Sequence, residues 1–290
     1  MTEAAIALAA GEARLAIARR GAEATAWSVG GVELLWPSDP AIWGEISPIL
    51  YPVVGWTRDG ARVGGRHYPL RLHGFASSED FAVETAGDAF ARLTLRDNAR
   101  TRALYPFAFE LAVEYRLAGA ALEITLEVAN PGDGPAPYAC GLHPGFRWPF
   151  AAAERAGAIV RFAKDEPAFV PAIAPGGLIS PNKRAIPLKG KALPLDDELF
   201  SGDALCFLEP ESRSLRFEQA GGSAIEMDFS GFGRAALWTR RDAPFLCLEA
   251  WTGYSDPEGF AGDLFEKPAM RSLAPGERAR HRAIYRYFAA

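Results

Sequence analysis

The sequence predicts an all-β protein built from antiparallel strands, and three observations support this fold class. Apolar and polar residues alternate over 107–117 and again over 122–128, as in strands with one buried face. Turn residues recur at intervals of roughly 8 to 12 residues in the C-terminal part of the chain. No long segment has the period of about 3.6 residues that marks an amphipathic helix. Together these features favour a sandwich or barrel.

The N-terminal part of the chain reads as short strands separated by turns. Strands are predicted at 14–18, 23–29 and 32–36. The run SPILYPVVGWTRDG is apolar up to Val54 and then polar, which places Trp56 and Arg58 where a strand meets a loop. A hairpin about Gly64-Gly65 follows and leads into LHGFASSEDF. The glycine after His73 in that run would let the backbone approach a ligand closely.

The middle of the chain begins with the clearest pattern and ends with the least regular one. The alternating segments 107–117 and 122–128 are predicted to form an antiparallel pair with one face in water. A turn at 130–137 then leads into YACGLHPGFRWPF, which contains His143. From Lys164 to Ser201 the alternation fails and prolines accumulate, so we expect an irregular excursion that is either a lid, a pocket wall or disordered.

Regular alternation resumes after this excursion. A short helical turn is predicted within 195–205, and strands are predicted at 214–219, 224–229, 234–240, 245–251 and 282–288.

The strand FLCLEAW places a carboxylate in an apolar row. Phe245, Cys247, Glu249 and Trp251 project to one face of this strand. If that row is buried, desolvation raises the pKa of Glu249 towards neutrality, as a general base requires. If the row faces solvent, Glu249 is a rim residue or the partner of an arginine, and the strand pattern alone is compatible with either case.

Two of the four histidines stand in sequence contexts that suggest a site. His67 and His281 lie in polar alternating segments and are expected at the surface. His73 and His143 are each followed by a Gly or Pro and then by Phe, in loops entered from apolar strands. A lone loop histidine is more often structural than catalytic, but together with Glu249 the two supply an acid, a base and an orienting donor.

Other chemistries fit the sequence less well. There is no G-x-S-x-G elbow, no G-x-G-x-x-G and no Walker pattern, so neither a serine nucleophile nor a nucleotide cofactor is expected. Neither H-x-H nor H-E-x-x-H spacing occurs, so we expect no metal. Three widely spaced cysteines without a C-x-x-C pair indicate reduced, packed thiols: Cys140, Cys206 and Cys247.

Length, charge and hydropathy limit the number of domains, the partners and the location that the sequence allows. The chain has 290 residues and is expected to form a single domain over 1–290, since β-sandwiches often reach this size. The net charge of −5 is spread without blocks, which gives no reason to expect a nucleic-acid partner. No apolar run approaches the roughly 18 residues of a membrane span. The first ten residues carry an acid where a signal peptide carries bases, so a cytoplasmic location is expected.

Several segments resemble the aldose 1-epimerase (mutarotase) family, and most of all its shorter bacterial members: SPILYPVVG, LHGFASSEDF, GLHPGF, LPLDDELFSGDAL and FLCLEAWTGYSD, followed by Glu266-Lys267 and LAPGE. The resemblance runs in consistent order from about Leu34 to the C-terminus. It implies a single large antiparallel β-sandwich (supersandwich) of the galactose mutarotase type, with a sugar cleft on one concave sheet. It also implies an isomerase that needs no cofactor and exists as a monomer or homodimer.

The resemblance assigns roles to four residues. Glu249 matches the base that acts on the anomeric hydroxyl, and His143 matches the histidine that protonates the ring oxygen. His73 matches the second histidine, which holds a sugar oxygen. Asp203, in SGDAL, matches the aspartate that hydrogen-bonds sugar hydroxyls.

The sequence departs from the family pattern at two positions. The arginine that the family carries after PILYPVVG has no counterpart, because Trp56 follows the glycine directly, and Arg58 is the candidate replacement. Ala250 stands where this branch has proline. Aromatic residues expected to line the cleft, with core packing as the alternative, are Trp56, Phe146, Trp148 and Trp251.

Four functions remain open at this stage. The first is anomer interconversion of a free aldohexose, and the second is the same reaction on a hexose 6-phosphate. The second requires arginines to converge at the cleft mouth, and the candidates are Arg58, Arg71, Arg96, Arg100 and Arg102. The third is a sugar-binding module without turnover, and the fourth is a metal-dependent isomerase or lyase.

Overall fold

The computed structural model describes residues 5–290, and regular structure within that range is almost entirely β. The strands in chain order are β1 (Ile6–Ala10), β2 (Ala13–Ile17), β3 (Ala24–Val29), β4 (Val32–Glu33), β5 (Ile49–Leu50), β6 (Ala61–Val63), β7 (Arg66–Tyr68), β8 (Ala82–Ala86), β9 (Phe90–Arg96), β10 (Glu110–Ala118), β11 (Ala121–Ala129), β12 (Ala136–Tyr138), β13 (Gly141–Leu142), β14 (Gly145–Arg147), β15 (Ile159–Phe162), β16 (Phe169–Ala174), β17 (Leu178–Ala185), β18 (Ala192–Pro194), β19 (Leu205–Phe207), β20 (Ser214–Glu218), β21 (Ala224–Asp228), β22 (Arg234–Trp238), β23 (Phe245–Trp251), β24 (Arg271–Leu273) and β25 (Arg278–Phe288). The α-helix α1 spans Ala99–Leu104, and 3-10 helices span Ala76–Ser78, Glu198–Phe200 and Leu264–Glu266. Nowhere in residues 5–290 does a helix have the length and apolar character needed to cross a membrane.

The strands pair into two large antiparallel sheets and four smaller ones. The nine-stranded sheet has the order β18-β15-β20-β21-β25-β11-β10-β9-β8. The six-stranded sheet has the order β19-β22-β23-β13-β5, and β14 also pairs with β23. The first four strands form their own sheet, and β12-β24, β16-β17 and β6-β7 are two-stranded. Side chains of both large sheets share one apolar core, so the predicted all-β antiparallel sandwich is confirmed.

The predicted pair of alternating strands forms as expected. β10 and β11 pair antiparallel with Val113 opposite Leu126. Val113 and Tyr115 are buried in the core, and Tyr115 donates a hydrogen bond from its hydroxyl to a backbone oxygen at 2.6 Å. The polar positions face outward, where Glu114 and Glu127 pair with Arg92 and with arginines of β25. This sheet therefore has one buried face and one charged face.

Strand β23 divides its side chains between two environments, as the alternation predicts. Leu246, Leu248 and Ala250 belong to the core shared with the nine-stranded sheet. The hydroxyl of Tyr285, on β25, donates to the backbone oxygen of Leu248 at 3.1 Å and ties the two sheets together. Glu249 lies on the opposite face, and all seven residues of β23 are buried. A buried carboxylate therefore faces away from the core.

The region 164–201 is not irregular, so that prediction is wrong. It contains the hairpin β16-β17, followed by β18 and a 3-10 helix. The register shifts between Pro171 and Ile173, and a proline is tolerated at such a bulge because the missing N–H leaves no ladder bond unmade. Prolines at 175, 181 and 187 hide the alternation from a sequence pattern without preventing strand formation.

The short helix α1 was not predicted, because one turn and a half carries no measurable period. Its start is fixed locally by Asn98. The side-chain oxygen of Asn98 accepts from the N–H groups of Arg100 and Thr101, and Thr101 returns a bond to the backbone of Asn98. This reciprocal capping box satisfies donors that a helix start leaves unpaired.

His281 is buried, so its predicted surface location is wrong. Its position on β25 pairs with Leu126 of β11, and its ring packs against Tyr138 and Phe232. Nδ1 of the ring lies 3.1 Å from the backbone oxygen of Gly231, so Nδ1 carries the proton and donates it to this oxygen. Nε2 then accepts from the hydroxyl of Tyr138 at 2.9 Å. Burial lowers the pKa of His281 to about 4.

His281→Gln is expected to weaken the acid sensitivity of the fold. Because the folded pKa of His281 lies below its ordinary value of 6.5, its neutral form stabilises the fold above that pH. This stability is lost as the pH falls from 6.5 towards about 4. Urea unfolding midpoints at several pH values across that window should decline less steeply in the variant. Equal slopes for variant and wild type would show that His281 does not contribute.

Candidate active site

A cavity of about 400 Å³ lies on the outer face of β23, and we call it the inner cavity. Its lining residues come from segments that are far apart in the sequence. The three predicted catalytic residues, Glu249, His143 and His73, line it together. Its other lining residues are Trp43, Glu45, Gly55, Trp56, Leu72, Ile173, Gly177, Ile179, Asp203, Ala204, Cys206, Trp238, Arg240, Trp251 and Ser255.

Glu249 sits at the floor of the inner cavity. Its side chain is 1% exposed, and its Oε2 accepts a hydrogen bond from Trp251 Nε1 at 3.0 Å. Burial raises the pKa of this carboxyl well above its ordinary value, because desolvation disfavours the anion; the Trp251 bond opposes the shift and the charge of Asp203 adds to it. A proton acceptor with such a pKa can hold a proton taken from a substrate.

His143 contacts Glu249 directly. It lies in the short loop between β13 and β14, both of which pair with β23, and this pairing brings its Nε2 to 3.2 Å from Glu249 Oε2. The rings of Trp43 and Trp238 pack against the imidazole. Burial lowers the pKa of His143 well below its ordinary value, and the nearby His73 lowers it further. Both members of the pair are thus driven towards their neutral forms.

His73 is held in a fixed orientation by the loop that follows β5. The N–H of Gly55 donates to His73 Nδ1 at 3.0 Å, and the N–H of His73 donates to the oxygen of Gly55 at 3.0 Å. Because Nδ1 accepts this bond, the proton of the neutral ring is on Nε2. Burial lowers the pKa of His73 to about 4, so the ring is a neutral donor near pH 7.

The backbone around His73 is also unusual. His73 has a φ of 61°, a conformation that side chains other than glycine rarely adopt. The next residue, Gly74, packs so tightly that a Cβ would lie 2.2 Å from the oxygen of Tyr51. Strained backbone of this kind is typical of functional sites.

Asp203 and Arg240 lie at the exposed rim of the inner cavity. Asp203 follows the 3-10 helix 198–200, has a φ of 72°, and accepts from the N–H of Ala204 at 2.7 Å. Arg240 lies two residues beyond the end of β22. The rim therefore offers one carboxylate and one guanidinium to hydroxyl groups.

Trp56 forms one side of the inner cavity and is 38% exposed. The backbone N–H of Trp56 donates to Ser255 Oγ at 3.0 Å, and its backbone oxygen accepts from the backbone N–H of Asp256 at 2.8 Å. Gly177 of the β16-β17 hairpin lies against the indole, where a Cβ would be 2.3 Å from Trp56 Cδ1. The hairpin in the region expected to be irregular is thus a wall of the inner cavity.

Three of the residues predicted for the cleft lie elsewhere. Phe146 is 1% exposed and packs in the core against Trp27 and Tyr285, because its side chain points to the inner face of the sheet; its predicted place in the cleft is wrong. Trp148 is also buried in the core, with the guanidinium of Arg155 stacked 3.8 Å from its ring. Arg58 does not line the inner cavity but lines a neighbouring one that shares Trp56 with it, so its role as a substrate-binding arginine stays a prediction.

Sequence reasoning missed several residues of the inner cavity, among them four with aromatic or charged side chains: Trp43, Glu45, Trp238 and Arg240. For two of them the structure supplies the reason, which is the register of two strands. β22 pairs with β23 so that Ala236 lies opposite Glu249 and Trp238 opposite Cys247. Residues opposite each other point to the same face, so Trp238, and Arg240 two residues on, follow from that register. No comparable pattern marks Trp43 or Glu45, which lie in the loop before β5.

The donor set of the inner cavity does not resemble a metal centre. Within residues 5–290 no group of three or more His, Cys, Asp or Glu side chains is arranged to hold an ion. Cys206 lines the cavity, but burial raises the pKa of its thiol far above neutrality, so it carries no thiolate. What the geometry offers is a carboxyl and an imidazole in contact, a fixed neutral donor and two charged rim groups, a set suited to moving protons on a polyhydroxylated molecule.

Comparison with known proteins gives one family match over nearly the whole chain. The family model described as aldose 1-epimerase matches residues 4–286. The plasmid and chromosomal forms of Protein LacX from Lactococcus lactis subsp. lactis are each 32% identical over 257 residues, covering 84% of this chain and 86% of theirs.

Solved structures show the same fold. A galactose mutarotase-like protein from Lactobacillus casei is 26% identical, with a TM-score of 0.90 over 98% of this chain and all of its own. A galactose mutarotase related enzyme from Lactobacillus acidophilus is also 26% identical, with a TM-score of 0.90 over 98% of this chain and 97% of its own. A putative aldose 1-epimerase from Escherichia coli is 18% identical with a TM-score of 0.76, and that likeness concerns the fold alone.

Proposed function

The chain belongs to the aldose 1-epimerase family, and on that premise we propose that it interconverts the α and β anomers of a free aldohexose. The observation that carries the proposal is the contact between Glu249 and His143, with Oε2 and Nε2 separated by 3.2 Å. The two oxygens that must exchange protons in a cyclic hemiacetal are bonded to the same carbon. Two groups this close together can serve both oxygens at once.

The reaction opens the ring by two proton transfers. Glu249, as carboxylate, takes the proton of the anomeric hydroxyl, while His143, as imidazolium, gives a proton to the ring oxygen. The bond between the anomeric carbon and the ring oxygen breaks, and a free aldehyde forms. Rotation about the bond to the aldehyde carbon followed by reclosure on its other face yields the second anomer, and both protons return to where they started.

Burial of the pair favours the ring-opened state. Ring opening converts a carboxylate and an imidazolium into a carboxylic acid and a neutral imidazole. Desolvation acts in that direction for both groups, since it raises the pKa of Glu249 and lowers that of His143. The pair is therefore neutral at rest, and the ionised pair that opens the ring is its minority form. From that minority form, desolvation drives both proton transfers towards the open chain.

Other residues hold the sugar in place. The Nε2–H of His73 donates to a sugar oxygen, and its orientation is set by the Gly55 bond at 3.0 Å. Asp203 and Arg240 hydrogen-bond hydroxyls at the rim. Trp56 and Trp251 offer apolar faces to the C–H groups of the ring, the mixture typical of ligand cavities.

Polarimetry tests the proposal directly. Freshly dissolved α-D-glucose or α-D-galactose should reach anomeric equilibrium faster in the presence of the protein, in proportion to its concentration. Pretreatment with a chelator should leave the rate unchanged, which separates this reaction from metal-dependent isomerisation. Calorimetric binding of the sugar without any acceleration would reject the enzyme and favour a binding module.

A hexose 6-phosphate is the second candidate substrate, and Arg240 at the rim of the inner cavity is the observation in its favour. Of the other arginines expected to converge there, Arg58 and Arg71 line the neighbouring cavity and three do not converge. Arg96 pairs with Glu110, Arg100 with Glu79 and Arg102 with Asp97, and none of these arginines lines the inner cavity. A comparison of glucose with glucose 6-phosphate in the same assay decides between the two.

A further inference from the structure

A second cavity of about 600 Å³ adjoins the inner cavity, and we call it the outer cavity. Trp56 lines both of them. The tip of the β16-β17 hairpin also divides its residues between the two, with Gly177 lining the inner cavity and Pro175, Gly176 and Leu178 lining the outer one. Trp56 and the tip of this hairpin therefore form the shared boundary of the two cavities.

Trp56 is a fixed platform between the cavities. Behind it lies the ion pair of Asp256 and Lys267, whose side chains are 2% and 1% exposed and 2.5 Å apart. Asp256 also accepts from the N–H of Arg58 at 2.8 Å, and Lys267 approaches the oxygen of Trp56 at 3.4 Å. These bonds hold the backbone at Trp56, and Gly177 packs against one edge of its indole.

The lining of the outer cavity suits a saccharide ring. Apolar surface comes from Trp56, Leu70 and Leu178. Arg58 and Arg71 contribute positively charged hydrogen-bond donors, and Asp59 contributes a negatively charged acceptor. A sugar presents C–H faces and neutral hydroxyls that donate and accept, and such a mixed lining serves both.

The same lining disfavours an anion. Asp59 Oδ2 lies 3.7 Å from Arg58 Nε, so this guanidinium already faces a carboxylate. Burial raises the pKa of Glu45 and the charge of Arg71 opposes that rise, so Arg71 too lies near an acidic group. Carboxylates next to both arginines repel a phosphate and leave neutral hydroxyls as the fitting partners.

We propose that the outer cavity is a subsite for a second sugar ring, so that the preferred substrate is a reducing disaccharide whose reducing ring occupies the inner cavity. This inference rests on the proposed epimerase function for the reaction itself. It adds the substrate class, and it assigns a role to Asp59, Arg71 and Leu178 that anomerisation of a free hexose does not require.

The experiment compares anomerisation of maltose and melibiose, freshly dissolved as single anomers, with that of glucose. The wild type should show a higher kcat/KM for at least one disaccharide than for glucose. Leu178→Trp fills the outer cavity and should lower the disaccharide value by about tenfold or more, while leaving the glucose value within about twofold. Arg66→Ala, on the exposed hairpin β6-β7 outside both cavities, is the matched control and should change neither.

A second variant separates a sugar from an anion in the outer cavity. Asp59→Asn keeps a residue that tolerates the φ of 56° at this position but removes the carboxylate. It should lower kcat/KM for the disaccharide. A rise in kcat/KM for glucose 6-phosphate together with an unchanged disaccharide value would overturn the proposal in favour of an anion site.

The remaining outcomes also decide the matter. A wild type with no preference for either disaccharide, or a Leu178→Trp variant that affects glucose and disaccharide equally, overturns the subsite. If no aldose is turned over, the epimerase function fails and the subsite is tested by calorimetry instead. Tighter binding of maltose than of glucose, lost in Leu178→Trp, would then still support it, and equal binding would overturn it.

Discussion

Glu249→Gln is expected to abolish the acceleration of anomerisation, with a fall in kcat of about 10² to 10⁴-fold, the range that a general base contributes. Glutamine keeps the size of the side chain, and its oxygen can still accept from Trp251 Nε1, now at 3.0 Å from Oε2. It cannot take the proton of the anomeric hydroxyl. Polarimetry at saturating sugar measures the loss, and KM should change little because the shape of the inner cavity is preserved.

Glu166→Gln is the matched control for this experiment. Glu166 is also a buried glutamate, and it accepts from the N–H groups of Glu211 and Ser212 far from the inner cavity. Its conversion should leave kcat unchanged. Retention of most activity in Glu249→Gln, or an equal loss in both variants, would contradict the assignment of Glu249 as the base.

The same Glu249→Gln variant should be more stable than the wild type. The folded pKa of Glu249 lies above its ordinary value, so in that window the native state holds a proton that the unfolded chain has released. Stability from this group therefore declines as pH rises from about 4.3, the ordinary glutamate pKa, through the raised folded value. The free energy of unfolding of the variant should not show that decline, and it should exceed that of the wild type by on the order of 1 kcal/mol at neutral pH. Active-site residues commonly reduce stability in this way.

The sequence predicted those parts of the site that depend on local periodicity. The face of Glu249 follows from seven alternating residues of β23, and that face is where the inner cavity lies. His73 and His143 were singled out by the Gly or Pro that follows each of them, and the backbone at Gly74 is indeed too close to Tyr51 for a side chain. These features can be predicted because they depend only on residues adjacent in the sequence.

The sequence could not predict features that depend on which strands become neighbours. Arg240 reaches the inner cavity through the register of β22 on β23, whereas Arg58 lines the outer cavity, with its backbone N–H bound to Asp256. His281 is buried because it stands on the core-facing side of β25, which pairs with β21 and β11 in the nine-stranded sheet. Phe146 stands on a three-residue strand, which is too short for alternation to decide its face.

Lys267→Met is expected to destabilise the fold by about 3 to 5 kcal/mol, the cost of leaving one member of a buried ion pair without its partner. Methionine matches the length of the lysine side chain, so little packing is lost. The carboxylate of Asp256, 2% exposed, would remain charged with only the N–H of Arg58 to stabilise Oδ2. Urea unfolding at neutral pH measures the difference.

The double variant Asp256→Asn with Lys267→Met separates the charge from the packing. It removes both charges, and the asparagine oxygen can still accept from the N–H of Arg58, so most of the lost stability should return. If the double variant is as unstable as Lys267→Met alone, packing of the lysine and not the unpaired charge is responsible.

The ion pair also supports the backbone of Trp56, whose oxygen lies 3.4 Å from Lys267 Nζ. The single variant Lys267→Met should therefore raise KM more than it lowers kcat. Such a split would distinguish a loosened cavity wall from damage to Glu249 and His143, which the ion pair does not touch.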